Sequence, residues 1–204
     1  MDSAVVSKHL LDRLRDRRVI AAVFTTFTFE PEFFELEVIP LLLKQSLAYS
    51  IDERVKQLMV REHLRESGLP IDVYYDLPMY RKNGSTSPAM EYGCHGVLHP
   101  LGAFHGKVCI LLVEDSDGGK SLLLGAGSNN LTRAGWWDNI ECLHWEELAP
   151  HGYGIELHNI LLKDIALLEL HRHPGAQVHA ATILIRRYLE ATKCTQTEPV
   201  HYFG

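Results

Sequence analysis

The chain has little of what would place it in a membrane, in an oxidising compartment or in a repeat array. Among its 204 residues no apolar run approaches the ~20 needed to cross a bilayer. The opening stretch, MDSAVVSKHLLDRLRDRR, is polar and charged, so it has no apolar core of a secretory signal. Cys94, Cys109, Cys142 and Cys194 are scattered without a C-x-x-C pair. That spacing disfavours a zinc ribbon or a disulfide framework and fits free thiols in a reducing cytoplasm. No internal repeat and no low-complexity tract is visible. An excess of positive charge is missing too: the formal net charge is −6. That argues against a broadly basic nucleic-acid-binding surface but not against a local basic groove.

What is present is an ordinary globular composition, 46% apolar and 23% charged. The length suits one domain over residues 1–204, either complete in itself or the N-terminal domain of a longer protein. Periodicity predicts helices over 3–17, from Pro31 onward with an interruption at Pro40, and over 52–68, 157–171 and 175–192. Strands are predicted over 19–29, 71–75, 93–98, 104–113, 121–127 and 139–146. Residues 115–119 read as the hairpin turn between two of them. The expected fold class is α/β, a mixed sheet flanked by helices.

The densest chemical signal lies in FHGKVCILLVEDSDGGKSLLLGAGSNNLTRAGWWDNIE, residues 104–141. On a strand, residues two apart share a face, so His105 and Lys107 would project into one site. An imidazole nucleophile beside a fixed ammonium suits phosphoryl chemistry: the ring forms a covalent adduct while the cation neutralises non-bridging oxygens. Behind them stand Gly127-Ser128-Asn129-Asn130-Leu131-Thr132 and Asn139-Ile140-Glu141.

This layout, His-x-Lys followed by G-S-x-N-[apolar]-T and N-x-E, resembles the HKD signature of the phospholipase D superfamily in its single-motif branch. The resemblance covers about residues 92–147. The family usually carries an Asp where this chain has Leu112, a loss shared with the tyrosyl-DNA phosphodiesterase branch. The resemblance implies a phospholipase D-like fold and a phosphohistidine intermediate on His105, with no metal and no cofactor. It implies that Lys107, Asn130 and Ser128 bind the phosphate and that Glu141 orients the histidine. Arg133, Trp136 and Lys120 are the expected substrate contacts, and the expected partner is nucleic acid, DNA rather than RNA.

Competing readings are weaker. Gly119-Lys120-Ser121 fails as a phosphate loop because position 114 is Glu114, not Gly. His95, His99 and His105 lack an acid or Cys at ligand spacing and do not make a zinc triad. No second His-x-Lys exists, so a two-motif site would need a homodimer or a second HKD half. Two other functions remain open: a catalytically silent phosphate- or DNA-binding module, and a lipid phosphodiesterase, for which no basic amphipathic docking helix is evident.

Overall fold

The computed structural model describes residues 6–45, 52–81, 91–150, 152–172 and 180–192. Six strands form one mixed sheet: β1 (Arg18–Thr26), β2 (Ile71–Asp76), β3 (Gly93–Val97), β4 (Val108–Glu114), β5 (Lys120–Gly127) and β6 (Leu143–Leu148). Their order is β3-β2-β1-β4-β5-β6. The β1, β2 and β3 strands run parallel, whereas β4, β5 and β6 pair antiparallel outward from β1. The fold class is thus α/β with a mixed sheet.

The central position of β1 follows from its composition. RVIAAVFTT offers apolar side chains to both faces, which suits a strand covered on both sides. Ala22 and Phe24 enter one core, Ala21 and Val23 the other. A register shift between Val19 and Ala21 turns Ile20 and Ala21 to the same face, the local effect of one inserted residue.

Helices α1 (Val6–Leu14), α2 (Pro31–Phe33), α3 (Ile39–Leu43) and α4 (Glu53–Ser67) cover the first face through Leu10, Leu14, Phe33, Ile39 and Leu64. Helices α5 (Ile155–Leu170) and α6 (Ala181–Ala191) cover the second through Leu161, Ile165, Ile185 and Leu189. For α4 the Asp52 carboxylate accepts from Arg54 N–H at 2.8 Å, and Gly68 ends it at φ 61°, a conformation that favours glycine. The predicted break at Pro40 takes a particular form. Phe34–Val38 is a π-helical turn, and Ile39 N–H reaches back to Phe34 O. Widening the turn just ahead of Pro40 accommodates a residue that has no N–H to give and a ring that crowds the preceding turn.

Two strands start later than their apolar runs suggest. The segment 104–107 precedes β4, which starts at Val108, where the N–H goes to Thr25 Oγ1 at 2.9 Å. Residues 139–142 likewise precede β6, where Cys142 N–H is taken by Ser128 Oγ at 3.0 Å. At both places a side chain takes one backbone N–H, while the carbonyls of Lys107 and Cys142 still accept from Gly127 and Ser128 N–H. Of the helix predicted over 175–192, residues 175–179 lie outside the described residues and Ala181–Ala191 is helical. Residues 1–5 and Cys194 also lie outside them.

Candidate active site

The site is assembled at the end of the sheet where β1 and β2 finish and β4 starts, the carboxyl edge of the parallel strands. His105 and Lys107 do come together, but not as residues of a strand. Lys107 Nζ lies 3.1 Å from His105 Nδ1 and 3.4 Å from Nε2, and it donates to the His105 carbonyl at 3.1 Å. The segment that carries them is held at both ends. Phe104 N–H donates to the buried Asp76 carboxylate at the end of β2, at 2.8 Å, and Val108 N–H is the one fixed by Thr25. His105 is exposed, and its ring rests on Phe27, with centroids 4.6 Å apart.

Asn130 arrives from the other side on the turn after β5. Thr28 N–H donates to its Oδ1 at 3.1 Å, so the amide orientation is determined and the donating side is Nδ2. The fully buried Thr26 hydroxyl accepts from Leu131 N–H at 3.0 Å and donates to Thr28 O at 2.8 Å, clamping that turn to the end of β1. Residues 25–28 are therefore a shared floor: Phe27 supports His105 while its neighbours hold Asn130. Glycines make the close packing possible. A Cβ at Gly127 would lie 2.5 Å from Asn129 Oδ1 and 2.6 Å from Cys142 O. One at Gly135 would lie 2.6 Å from Asn130 O.

Glu141 is placed differently from its expected role. Its Oε2 accepts from Ser128 Oγ in a short bond, and its Oε1 accepts from Asn139 Nδ2 at 3.2 Å. It makes no hydrogen bond to His105. Its influence falls on Lys107 instead: partial burial lowers the pKa of that ammonium, and the Glu141 charge opposes the shift. Ser128 is thus tied to Glu141 and to Cys142, with its N–H donating to Cys142 O at 2.9 Å.

Two of the three expected substrate contacts are corrected. Trp136 is 5% exposed, packs its ring 5.8 Å from Phe33 and lines the core side of a 30 Å³ cavity beneath Lys107, so it offers no face to a base. The neighbouring Trp137, 45% exposed, is the ring that faces outward. The cause is the π-helical turn Ala134–Asp138, which rotates the first of the two indoles into the core. Lys120 stands opposite Glu114, at the far end of β4 from Val108, about 20 Å away at 3.4 Å per residue. It pairs with Glu114 at 3.8 Å and cannot reach the site. Arg133 stays close by: it is exposed on the Asn130 turn, its N–H donates to Glu30 Oε2 at 3.0 Å, and its guanidinium has no ion-pair partner among the described residues. Arg81, paired with the same Glu30 at 3.8 Å, adds a second cation there.

Leu112, where the family usually places Asp, is buried on the α5/α6 face beside Ala21 and Leu122. Support for the His105–Lys107 segment and the Asn130 turn comes instead from Asp76, Thr25, Thr26 and Thr28. The TTFT run that closes β1 was the only available sign of them, and it reads equally well as ordinary strand. His95 is committed elsewhere, its Nε2 lying 2.9 Å from buried Asp72 Oδ1, on top of Tyr74.

These features define a phospholipase D-like fold. Among solved structures, the chain is similar to a histidine variant of tyrosyl-DNA phosphodiesterase from yeast, with a TM-score of 0.51 and 13% identity. That match covers 90% of this chain and 38% of the yeast chain. A second histidine variant of the yeast enzyme gives 0.50 at 13% identity, over 89% and 36% of the two chains. NucT from Helicobacter pylori gives 0.42 at 13% identity, over 80% and 84%. The chain spans less than two fifths of the yeast protein it matches. No sequence-family model matches the chain, and no curated protein matches it by sequence.

Proposed function

We propose that the chain is a phosphodiesterase acting on nucleic acid, DNA in preference to RNA, by covalent catalysis on His105 without a metal. The observation that carries this reading is the exposed imidazole with an ammonium at 3.1 Å, on a floor shared with the Asn130 amide. A ring nitrogen of His105 attacks phosphorus and forms the N–P bond as the P–O bond to the leaving group breaks. Water then attacks phosphorus, the N–P bond breaks, and the imidazole is regenerated. Lys107 and Asn130 Nδ2 bind the non-bridging oxygens through both steps, where charge accumulates. Ser128 and Glu141 hold the turn and the field around Lys107. Arg133, with Arg81, extends the cationic surface toward a neighbouring phosphate. A preference for DNA accords with the name of the yeast enzyme whose fold the chain shares.

The leaving oxygen needs a proton, and one His-x-Lys supplies a nucleophile but no acid. In-line displacement puts the acid across phosphorus from His105. A second copy of His105 facing the first across a two-fold axis fills that position, acting first as acid and then as base toward water. A second HKD half in a longer chain would do the same. Light scattering separates these: an inactive strict monomer rejects the homodimer.

Cleavage of labelled DNA and RNA in excess EDTA, by wild type and His105→Ala in parallel, tests the chemistry. Chelator-resistant cleavage that disappears in the variant is expected, together with an acid-labile phosphoryl-protein adduct in the wild type. Magnesium-dependent cleavage that survives His105→Ala refutes it. DNA binding without cleavage selects the silent-module reading, and headgroup release from lipid selects the third. Among the described residues, no helix is long and apolar enough to cross a membrane.

A further inference from the structure

Phe27 belongs to no motif, yet its ring lies against both members of the reactive pair. It follows β1 directly, between Thr26 and Thr28, whose hydrogen bonds to Leu131 and Asn130 leave its backbone little freedom. Its ring centroid is 4.6 Å from that of His105 with the planes inclined at 43°. Lys107 Nζ lies over the same ring, 5.7 Å from its centroid. An aromatic ring is negative at its face and positive at its edge, so it attracts a cation placed over it and orients a second ring beside it.

We infer that Phe27 is a positioning residue of the proposed phosphodiesterase. It holds the His105 imidazole in attack orientation and steadies positive charge on both neighbours. The charge requirement changes during the reaction. When one ring nitrogen bonds to phosphorus while the other keeps its proton, the imidazole becomes cationic and the P–O electron pair departs with the leaving group. Two cations, the Lys107 ammonium and the phosphorylated ring, then lie side by side over the same ring. A polar or charged floor there would need partners of its own. An aromatic floor attracts both cations without competing for the phosphate oxygens.

The kinetic part of this inference rests on the phosphodiesterase reading; the stack itself does not. Two measurements keep them apart. In proton NMR of the whole protein, the His105 ring protons should be displaced upfield by the Phe27 ring current, and Phe27→Leu should abolish the displacement. His105 ring protons at ordinary positions in the wild type would overturn the inference whatever the enzyme does. In kinetics, Phe27→Leu should lower kcat about tenfold with KM nearly unchanged, and Phe27→Tyr should recover most of the loss. Replacing Phe27 by mono-, di- and trifluorophenylalanine keeps its shape while draining charge from the ring face. A stepwise fall in kcat across that series is expected. A flat series beside a slow leucine variant would show that only shape matters and would overturn the charge role. A wild type inactive on every phosphodiester, yet with upfield His105 signals, would refute the phosphodiesterase reading and the charge role while leaving the stack established.

Discussion

The two ends of β4 are both polar, and they are built on opposite principles. At the Glu114 end, Arg18 pairs with Glu114, and Arg17 pairs with Asp115 at 2.9 Å and Glu147 at 2.8 Å. Lys120 joins Glu114 there too. These are charges meeting charges where water reaches them, and pairs of this kind hold little of a fold together. At the Val108 end charges such as Lys107 and Glu141 are joined by a second kind of support. The half-buried Thr25 hydroxyl, the buried Thr26 hydroxyl and the buried Asp76 carboxylate bind backbone N–H groups and so fix where loops lie. What distinguishes the Val108 end is polar side chains spent on loop backbone, where an unpaired buried N–H costs about 1–3 kcal/mol and few conformations avoid it.

That contrast can be broken most severely at its centre. Under the proposed chemistry, His105→Ala should lower cleavage by roughly a thousandfold or more while leaving the thermal unfolding midpoint nearly unchanged, since the ring is exposed. Residual activity within tenfold of wild type would move the nucleophile elsewhere. Leu112→Asp, which restores the usual motif residue, should cost about 4 kcal/mol or more in denaturant unfolding, because it buries a carboxylate with no partner on the α5/α6 face. Near-normal stability would mean that a partner for that carboxylate exists.

Thr26→Val keeps the shape of a fully buried residue and removes the clamp on Leu131 N–H and Thr28 O. A loss of about 1–3 kcal/mol is expected, with a fall in kcat larger than the change in KM as Asn130 loses its aim. Equal effects on stability with no kinetic change would make Thr26 an ordinary core residue.

Glu141→Gln sharpens the comparison through pH. Partial burial already lowers the Lys107 pKa and the Glu141 charge opposes that shift, so removing the charge lowers it further. Catalysis that needs the ammonium is present below the Lys107 pKa and lost as pH rises through it. The alkaline limb of the rate profile should therefore move to lower pH in Glu141→Gln, and an unmoved limb would separate Glu141 from Lys107. Lys120→Ala, at the opposite end of the strand, should change neither rate nor melting temperature measurably. A rate loss there would mean that substrate crosses the full length of β4.

Much of this was open to reading in the residues, and the rest could not have been. The short runs at 71–75 and 121–127, set off by Pro70 and by the turn at 115–119, mark strands because strand and turn preferences are local. Asp52 and Gly68 mark the ends of α4 for the same local reason. The grouping of His105, Lys107 and the Gly127–Asn130 turn was likewise visible, because a short hairpin must bring the two ends of its strands together. Other facts are not local. Trp136 is inside and Trp137 outside because a π-helical turn sets their rotation relative to Phe33. Lys120 leaves the site, and Asp76, Phe27 and the three threonines enter it, because strand order puts the β1 and β2 ends beside the start of β4. The amino-acid sequence by itself determined an α/β chain with one candidate phosphoryl-transfer motif. Only the tertiary structure decided which polar side chains surround that motif, since hydrogen bonds across 80 to 110 positions depend on strand order and register, which no local period records.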